Sequence, residues 1–364
     1  MLLRNPNGPV IILAGGTGGH IFPGLAVAKS LQERGVEVRW LGAEGGMETR
    51  LVPQHQIAMD TLQIKGLRGK GIKTLLTAPL KVLRAIGSAR AVLKQRRPCA
   101  VISFGGYAAG PGGIAARLSG VPLFVHEQNR AAGMTNRVLS RMADAVLTGF
   151  PDTFKGVDER WVGNPVRGEI AAIAEPAIRF AERADQTALN ILVLGGSQGA
   201  KVLNDAVPVA LRRLNDEGHT FSVRHQCGER GVDVARSAYA AAGIEASIEP
   251  FIAGMGEAYA WADLVICRAG ALTLAEVCAV GVGSILVPFA AAVDDHQTKN
   301  AQYLVARHAA RIASQSNDLA DKLVTHVREI GNRDTLLVMA KAARELAKPH
   351  AADEVAEVVM EEAS

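Results

Sequence analysis

The chain has 364 residues, 48% of them apolar and 4% aromatic, with 38 glycines and a formal net charge of +4. This composition suffices for two hydrophobic cores and favours parallel sheets of aliphatic strands joined by glycine turns over an all-β fold. The small net charge argues against a general nucleic-acid binder, and the four scattered cysteines match neither a zinc site nor a disulfide framework.

The N-terminal residues 1–9 contain one arginine, two prolines and no long apolar core, so we expect no signal peptide. Uninterrupted apolar stretches stay below the roughly 18 to 20 residues that cross a bilayer. Scattered free cysteines are typical of a reducing compartment. We therefore expect a cytosolic protein with no membrane-spanning segment.

A first glycine-rich loop follows an apolar strand near the start of the chain. The strand 10–14 (VIILA) leads into residues 15–20 (GGTGGH), and we predict a helix from Pro23 to about Arg34. Such a loop lets the backbone approach a phosphate at a helix N-terminus. Ile21 stands where a dinucleotide-binding loop has its third glycine, so the pattern does not predict a nicotinamide cofactor.

The segment between Asp60 and Glu127 has no acidic residue but carries eleven lysines and arginines among aliphatic residues. A helix that begins near Ile72 would bring aliphatic and basic side chains together. It is either an ordinary surface helix with its apolar side in the core or a peripheral site for anionic lipid. The candidate lipid contacts are Lys73, Leu75, Leu76, Leu80, Lys81, Leu83 and Arg84.

Two more strands of the first half end in loops that suit a ligand. The strand 100–104 precedes a second glycine turn, 105–107 (GGY), and the strand 121–125 precedes the polar residues 126–129 (HEQN). In open α/β sheets, ligands bind at the carboxyl ends of the strands. We therefore expect both loops to contribute to a binding site.

The second half of the chain repeats this scheme. The strand 191–194 leads into the glycine-rich residues 195–200 (GGSQGA). Further strands are predicted at about 222–225, 264–267 and 284–287. The second loop lacks the Gly-Lys followed by Ser or Thr of a phosphate-loop NTPase. Two such halves predict two α/β domains that face one anionic ligand across a cleft, with a turn between them at residues 163–165 (GNP).

The ordered series of motifs resembles the MurG family of bacterial peptidoglycan glycosyltransferases over essentially the whole chain. The matching segments are 14–20 (AGGTGGH), 22–24 (FPG), 105–107 (GGY), 126–129 (HEQN), 163–167 (GNPVR), 195–200 (GGSQGA), 268–273 (RAGALT) with Glu276, and 294–301 (DDHQTKNA). The resemblance implies an α/β protein of the GT-B fold, in which two Rossmann-like, doubly wound parallel-sheet domains are separated by a cleft. An N-terminal acceptor- and membrane-binding domain would span residues 1–166 and a C-terminal UDP-N-acetylglucosamine-binding domain residues 167–347. A final helix, 348–364, would pack back toward the N-terminal domain.

The resemblance also implies the reaction. N-Acetylglucosamine would move, with inversion, from UDP-N-acetylglucosamine to the C4 hydroxyl of undecaprenyl-diphosphate-linked N-acetylmuramoyl pentapeptide, which converts lipid I to lipid II in peptidoglycan synthesis. The enzyme would act without a cofactor, as a peripheral protein on the cytoplasmic side of the plasma (inner) membrane, which is anionic. Other cell-wall and division proteins are further partners that the resemblance allows and the sequence does not specify.

No metal site is assigned. Asp294 and Asp295 are adjacent acids that could hold a hard cation. Glycosyltransferases of the GT-B fold, however, generally replace the metal with loop dipoles and basic side chains. The resemblance therefore implies metal-independent transfer.

The resemblance assigns residues to the two substrates. The donor residues are Thr17, Gly18, Gly19, Asn129, Arg167, Ser197, Gln198, Ile252, Ala271, Leu272, Thr273, Glu276 and Gln297. The acceptor residues are Thr17, Gly18, Gly19, His20, Gly105, Gly106 and Tyr107. Glu276 would accept hydrogen bonds from the ribose hydroxyls; outside the family pattern, a carboxylate near a helix start is only a favourable partner of the helix dipole. Backbone groups near Ile252 would recognise uracil.

Direct displacement at the anomeric carbon requires a base that takes the proton of the acceptor hydroxyl. His20 is the candidate, because an unperturbed imidazole titrates near pH 6.5 and the residue ends the first glycine loop. Alternatively, His20 only orients the acceptor or its diphosphate, and His126 or Glu127 acts as the base.

Two other classes of protein stay open at this point. Another UDP-sugar enzyme of the GT-B fold, an epimerase or a glycolipid glycosyltransferase, would share the second glycine loop but would lack the first loop together with residues 126–129. A non-catalytic nucleotide-sugar sensor would bind UDP-N-acetylglucosamine without transferring the sugar. Formation of a disaccharide product separates the transferase from both.

Overall fold

The computed structural model describes residues 5, 7–64, 72–196, 199–292 and 295–363, with side chains from Pro79 onward in the helix that begins at Ile72. The chain divides into two compact units. The first unit contains the residues up to Pro165 together with those from His350 onward, and the second unit is Val166–Pro349.

The first unit is an α/β sheet protein. Its strands are β1 (Val10–Ala14), β2 (Val38–Ala43), β3 (Ala58–Leu62), β4 (Ala100–Gly105), β5 (Leu123–Glu127), β6 (Ala145–Thr148) and β7 (Arg160–Trp161). Before the chain passes to the second unit, the helices of the first unit are α1 (Gly18–Glu33), α2 (Glu48–Leu51), α3 (Ile72–Arg96), α4 (Ala109–Leu118) and α5 (Met134–Leu139). Within the described residues the strands form one parallel sheet in the order β3-β2-β1-β4-β5-β6-β7.

The aliphatic run of β1 is explained by helices on both faces of this sheet. Successive side chains of a strand point to opposite faces. Accordingly, Val10 and Ile12 pack in one core cluster with residues of α1, whereas Ile11 and Leu13 pack in another with residues of α3 and α4. All five residues of the strand are buried. A parallel strand covered on both faces is expected to be continuously apolar.

Helix α1 begins at Gly18, five residues before the predicted start at Pro23, so that prediction was wrong. Thr17 precedes the helix in an extended conformation, and its carbonyl accepts hydrogen bonds from the backbone N–H groups of His20 and Ile21. Pro23 lies inside the helix, where it cannot donate the usual backbone hydrogen bond. The early start places His20 in the first turn of α1 rather than in the loop.

The second unit repeats the architecture. Its strands are β8 (Leu189–Leu194), β9 (Phe221–Gln226), β10 (Ser247–Glu249), β11 (Leu264–Cys267), β12 (Gly283–Leu286) and β13 (Ala310–Ile312). Its helices are α6 (Gly168–Ala171), α7 (Pro176–Ala181), α8 (Lys201–Asp216), α9 (Val232–Ala242), α10 (Met255–Trp261), α11 (Ala271–Val280), α12 (His296–Val305), α13 (Leu319–Ile330) and α14 (Arg333–Glu345). Within the described residues the parallel sheet has the order β10-β9-β8-β11-β12-β13. The predicted pair of doubly wound sheets is thereby confirmed.

A buried carboxylate connects several elements of the second unit. Asp263, immediately before β11, is fully buried. One of its oxygens lies 2.9 Å from Arg183 Nε, and the other lies 3.1 Å from Arg333 Nη2, at the start of α14. The backbone N–H of Asn190 in β8 donates to the same second oxygen at 3.1 Å. Asp263 therefore fixes the ends of two strands and a helix to one another.

After α14 the chain returns to the first unit and ends in α15 (Ala351–Ala363), which packs on α1. Ser30 Oγ donates to Asp353 Oδ1 at 2.7 Å, and Arg34 Nη1 lies 2.9 Å from the same oxygen. Val355 and Val359 are buried in the core cluster that contains α1. The last helix therefore completes a core that begins with β1.

None of the described helices combines the length and the apolar character needed to cross a bilayer. All four cysteines lie among the described residues, where they are buried and form no disulfide.

Candidate active site

The order of strands reverses beside the two glycine-rich loops. In the first sheet β1 lies next to both β2 and β4, and in the second sheet β8 lies next to both β9 and β11. Loops that leave such neighbouring strands in opposite directions open a crevice at the carboxyl ends of the strands, where open α/β sheets bind ligands. Residues 15–17 follow β1 and residues 195–200 follow β8, so each glycine loop stands at the reversal point of its own sheet.

The first glycine loop packs directly against the turn that follows β4. Gly16, Gly105 and Gly106 have φ angles of +84°, +105° and +102°, which side-chain-bearing residues rarely adopt. A Cβ atom on Gly106 would lie 2.5 Å from the carbonyl oxygen of Gly15. Tyr107 is 55% exposed, and its ring lies beside Gly16. The structure therefore brings the two predicted acceptor loops into contact.

His20 has one engaged and one available ring nitrogen. Its Nδ1 lies 3.0 Å from the carbonyl oxygen of Gly15. Because a carbonyl oxygen can only accept, Nδ1 carries the proton and Nε2 of the neutral ring keeps a lone pair. Nε2 faces Gly105, where a Cβ atom would lie 3.1 Å away. The glycine at position 105 therefore leaves open the space next to the potential base.

Glu48, which no sequence motif indicated, is hydrogen-bonded to the backbone of the first glycine loop. This residue of α2 is fully buried. Its Oε2 accepts from the backbone N–H of Gly16 at 3.0 Å, and its Oε1 accepts from that of Ala43 at 2.9 Å. Gly15 and Gly42 leave room for it, because a Cβ atom on either would lie within 2.6 Å of Glu48. The glycines near Glu48 hint at a crowded backbone, but nothing local in the sequence indicates a carboxylate partner.

His126, at the end of β5, is fully buried, and both of its ring nitrogens have partners. Its Nε2 donates to the carbonyl oxygen of Gly163 at 2.9 Å, and its Nδ1 lies 3.1 Å from Gln128 Nε2. Burial lowers the pKa of His126 to about 4, so the ring is neutral at physiological pH.

Glu127 is also buried, and it organises the loop that follows β5. Its Oε1 accepts from the backbone N–H of Asn129, and its Oε2 accepts from the backbone N–H of Gly133, both at 3.0 Å. Asn136 Nδ2 donates to the second oxygen at 3.0 Å. Glu127 thus fixes the backbone of the half-buried Asn129.

The second glycine loop is shaped by close backbone packing. Gly196 and Gly199 have positive φ angles, +77° and +71°. A Cβ atom on Gly199 would lie 2.4 Å from the carbonyl oxygen of Cys227. The loop ends where α8 begins, at Lys201. Ser197 and Gln198, two of the predicted donor residues, lie outside the described residues.

Arg167 and Glu276, two of the predicted donor residues of the second unit, form an ion pair. Arg167 Nη2 lies 3.1 Å from Glu276 Oε1, and the hydroxyl of Tyr259 donates to Oε2 at 3.1 Å. Burial raises the pKa of Glu276, while Arg167 and Tyr259 oppose this rise in part. Tyr259, which sequence analysis missed, is fully buried, and burial together with the nearby carboxylate raises its pKa. Its hydroxyl therefore stays protonated and remains a donor.

The other predicted donor residues of this unit lie on neighbouring elements. Ala271, Leu272 and Thr273 form the first turn of α11, the helix that carries Glu276. Gln297, in the first turn of α12, accepts from the backbone N–H of Phe289 at 2.9 Å through its Oε1. Ile252 is buried next to Phe251, which is 62% exposed. Four of these predicted residues therefore lie in the first turns of α11 and α12.

Helix α3 carries exposed aliphatic and basic side chains. Leu80 and Leu83 are 55% and 64% exposed, and Lys81 and Arg84 are exposed beside them. The opposite side of the helix is buried through Ala85, Ala89 and Leu93. The predicted contacts Lys73, Leu75 and Leu76 lie in the part of the helix whose side chains are not described.

Among the residues that the structure describes, no three His, Cys, Asp or Glu side chains are grouped so that they could hold a metal ion. Asp294, considered above, lies outside these residues. Asp295 precedes α12 in a left-handed conformation and makes no side-chain cap to the helix.

Comparisons with known proteins cover both units. Residues 10–148 match the glycosyltransferase family 28 N-terminal domain, and residues 190–355 match the glycosyltransferase family 28 C-terminal domain. Over 357 residues the chain is 63% identical to the UDP-N-acetylglucosamine--N-acetylmuramyl-(pentapeptide) pyrophosphoryl-undecaprenol N-acetylglucosamine transferase of Xanthomonas campestris pv. campestris, which covers 98% of this chain and 82% of that protein. A protein of the same name from Xylella fastidiosa is 59% identical over 355 residues, or 97% of this chain and 96% of its own. The crystal structure of Acinetobacter baumannii MurG matches with a TM-score of 0.86 and 43% identity, over 97% of this chain and 99% of that one.

Proposed function

Because this chain belongs to glycosyltransferase family 28, and within it to the MurG enzymes of the GT-B fold, we propose that it transfers N-acetylglucosamine from UDP-N-acetylglucosamine to N-acetylmuramyl-(pentapeptide) pyrophosphoryl-undecaprenol. The single observation that carries this proposal is the 63% identity over 98% of the chain. The product is lipid II, the disaccharide precursor of peptidoglycan. Such identity over both units supports this transferase over an epimerase or a sensor.

Donor binding is assigned to the second domain, residues 167–347. The loop 195–200 and the first turn of α11 offer backbone N–H groups at helix N-termini, which suit a diphosphate. Glu276 would accept hydrogen bonds from the ribose hydroxyls, since Arg167 and Tyr259 hold its carboxylate and favour its charged form. As the bond between C1 of the sugar and UDP breaks, negative charge grows on the diphosphate. The same N–H groups, with Arg167, would stabilise this leaving group.

Acceptor binding is assigned to the first domain, residues 1–166, which is completed by the helix at 348–364. Thr17, Gly18 and Gly19 stand at the start of α1, where backbone N–H groups without helical partners can bind the acceptor diphosphate. Tyr107, exposed beside Gly16, would line the same surface.

The reaction would proceed by one displacement, with His20 as the base. The C4 hydroxyl oxygen of the acceptor attacks C1 of N-acetylglucosamine, the bond from C1 to the UDP oxygen breaks, and the hydroxyl proton goes to His20 Nε2. Two observations support His20: its Nε2 holds the lone pair, and Gly105 leaves space beside it. His126 and Glu127 suit a supporting role better, because their polar atoms are buried and already bound.

Since the acceptor is anchored in lipid, the enzyme would act at the cytoplasmic side of the plasma (inner) membrane as a peripheral protein. The exposed pairs Leu80 with Leu83 and Lys81 with Arg84 support this location. Aliphatic side chains can enter the lipid interface while basic ones pair with anionic headgroups.

The proposal is tested by mixing purified protein with radiolabelled UDP-N-acetylglucosamine and a short-chain analogue of the lipid-linked muramoyl pentapeptide, with and without a chelator. We expect labelled disaccharide lipid in both samples. Product that disappears with chelator would contradict metal independence. Binding or hydrolysis of the donor without disaccharide would overturn the acceptor assignment.

A further inference from the structure

A buried carboxylate and the candidate base lie on the two sides of one peptide group. Glu48 Oε2 accepts from the N–H of Gly16 at 3.0 Å, and the carbonyl oxygen of Gly15 accepts from His20 Nδ1 at 3.0 Å. That N–H and that carbonyl belong to the same peptide bond, the one between Gly15 and Gly16. The three groups therefore form one continuous chain of hydrogen bonds: carboxylate, peptide and imidazole.

Hydrogen bonds that share a peptide group polarise one another. A carboxylate that accepts from the N–H makes the carbonyl oxygen of the same peptide more negative, and therefore a stronger acceptor for Nδ1–H. A stronger acceptor at Nδ1 stabilises the imidazolium that forms when Nε2 takes a proton. Because Glu48 is fully buried, water does not screen its charge as it would at the surface.

We propose that Glu48 is a positioning residue for His20, acting through the peptide bond between Gly15 and Gly16. This inference rests on the proposed role of His20 as the base. The relay fixes the ring orientation, keeps the proton on Nδ1 and the lone pair on Nε2, and stabilises the charge that the ring acquires. In the serine-protease triad a carboxylate serves this purpose by direct contact with the histidine; here one peptide group lies between them.

The position of Glu48 also admits a merely structural role. Its Oε1 binds the N–H of Ala43 at the end of β2, so loss of Glu48 would loosen the loop as well as the relay. A test must therefore follow the His20 ring itself. Among the described residues, the titratable groups in contact with the loop include Glu48 and Tyr107, whose ring lies 3.8 Å from the position of a Gly16 Cβ atom.

The first measurement uses the full chain with ¹⁵N-labelled histidine, and the His20→Ala variant assigns the His20 signal. In the neutral ring we expect the Nδ1–H form in the unmodified protein. We expect Glu48→Gln to move the midpoint of the His20 titration to lower pH, because the imidazolium loses the stabilisation that the relay supplies. Asp144→Asn is the matched control, since Asp144 accepts from the backbone N–H of Leu123 at 2.8 Å elsewhere in the same unit. It should leave the midpoint unchanged.

The second measurement is a double-mutant cycle on transfer activity. Glu48→Gln should lower kcat about threefold to tenfold and move the acid limb of the kcat profile to lower pH. In the His20→Ala background the same substitution should change kcat much less, because the imidazole on which Glu48 acts is absent.

The outcomes separate the relay from the base assignment. An unchanged His20 midpoint in folded Glu48→Gln overturns the relay, even if activity falls. If that variant does not fold, a neutral ring with its proton on Nε2 in the unmodified protein overturns the relay instead. A shifted midpoint combined with a fully active His20→Ala variant would support the relay and overturn the proposed role of His20 as base.

Discussion

At His20, a single hydrogen bond decides which ring nitrogen can accept a proton. Nδ1 donates to the carbonyl oxygen of Gly15, so Nε2 is the basic atom. Replacement by alanine removes the proposed base but leaves the glycine loop. We expect His20→Ala to lower kcat about a hundredfold or more at saturating acceptor, with little change in the donor KM. His55→Ala, at an exposed position of the same unit, is the control. Nearly intact turnover in His20→Ala would contradict the assignment.

The proposed ribose contact of Glu276 predicts that donor binding depends on pH. Burial raises the pKa of this carboxylate, and in the proposed site only its ionised form accepts from both ribose hydroxyls. As pH falls through this raised pKa the carboxylate becomes protonated. UDP affinity should therefore begin to fall at a higher pH than for an ordinary glutamate, which titrates near about 4.3. Calorimetric titration across this pH range measures the effect.

Two controls connect that pH dependence to the ribose. Glu276→Gln should bind UDP more weakly at neutral pH, and its UDP affinity should no longer fall as the pH is lowered. The affinity of a UDP analogue without the 2′- and 3′-hydroxyls should not fall at acid pH, and Glu276→Gln should bind this analogue as well as the unmodified protein does. If the affinity for this analogue still falls at acid pH, Glu276 does not contact the ribose.

Among the functional residues, those in glycine loops and after strands could be predicted, and their partners could not. His20 and Glu276 belong to local motifs whose order identifies the family. Only folding brings Glu48 of α2 to the backbone N–H of Gly16 in the loop before His20, and Tyr259 of α10 to Glu276. Neither stands in a pattern that distinguishes it from an ordinary surface acid or core aromatic residue. Tertiary proximity, rather than local sequence, gives these two residues the contacts from which their proposed roles follow.

At the scale of elements, α3 presents a surface on which exposed leucines lie beside basic side chains. Leu80 and Leu83 are exposed, with Lys81 and Arg84 beside them. We expect the protein to bind anionic vesicles, and binding to fall as salt screens the charges. Joint replacement of Leu80 and Leu83 by serine should weaken binding at any salt concentration. Joint replacement of Lys81 and Arg84 by glutamine should weaken binding mainly at low salt.

Co-sedimentation with vesicles of anionic or neutral lipid measures this binding. Replacement of Arg90 and Lys94, exposed farther along α3, is the matched control and should have a smaller effect. Equal binding to neutral and anionic vesicles at every salt concentration would contradict the electrostatic part of the prediction.

The central strands of both units were predicted more accurately than the start of α1, whereas β3, β6, β7, β10 and β13 were not predicted. Buried parallel strands such as β1 and β11 are short apolar runs bounded by glycine or polar residues, and such runs are visible in sequence. Helix α1 starts with two glycines and contains Pro23, residues that usually mark loops. Packing against the sheet overrides these weak local preferences.

At the scale of the whole molecule, the two units should respond separately to perturbation. Deletion of residues 350–364 removes α15 and uncovers the apolar surface that Val355 and Val359 cover. We expect the first unit to lose about 3 kcal/mol or more of stability, from the burial of several aliphatic side chains. UDP binding, assigned to the second unit, should persist. Calorimetry with and without UDP measures both effects, and loss of UDP binding would contradict the prediction.

The converse perturbation is Asp263→Ala in the second unit. It leaves Arg183 and Arg333 without their buried carboxylate, which should cost about 3–5 kcal/mol. Urea unfolding, with loss of UDP binding as the signal for unfolding of the second unit, measures this loss of stability. Asp205→Ala, which removes an exposed ion pair with Lys201, should change stability by less than about 0.5 kcal/mol. Similar losses in both variants would contradict the special role of Asp263.

The return of the chain to the first unit also sets an order of events during synthesis. Val166–Pro349 leaves the ribosome before α15 does, so the second unit can complete its core while the first still lacks its last helix. Throughout that interval the apolar side of α1 that α15 later covers stays open to solvent. We therefore expect a nascent chain of this protein to offer chaperones an apolar surface that the finished protein covers.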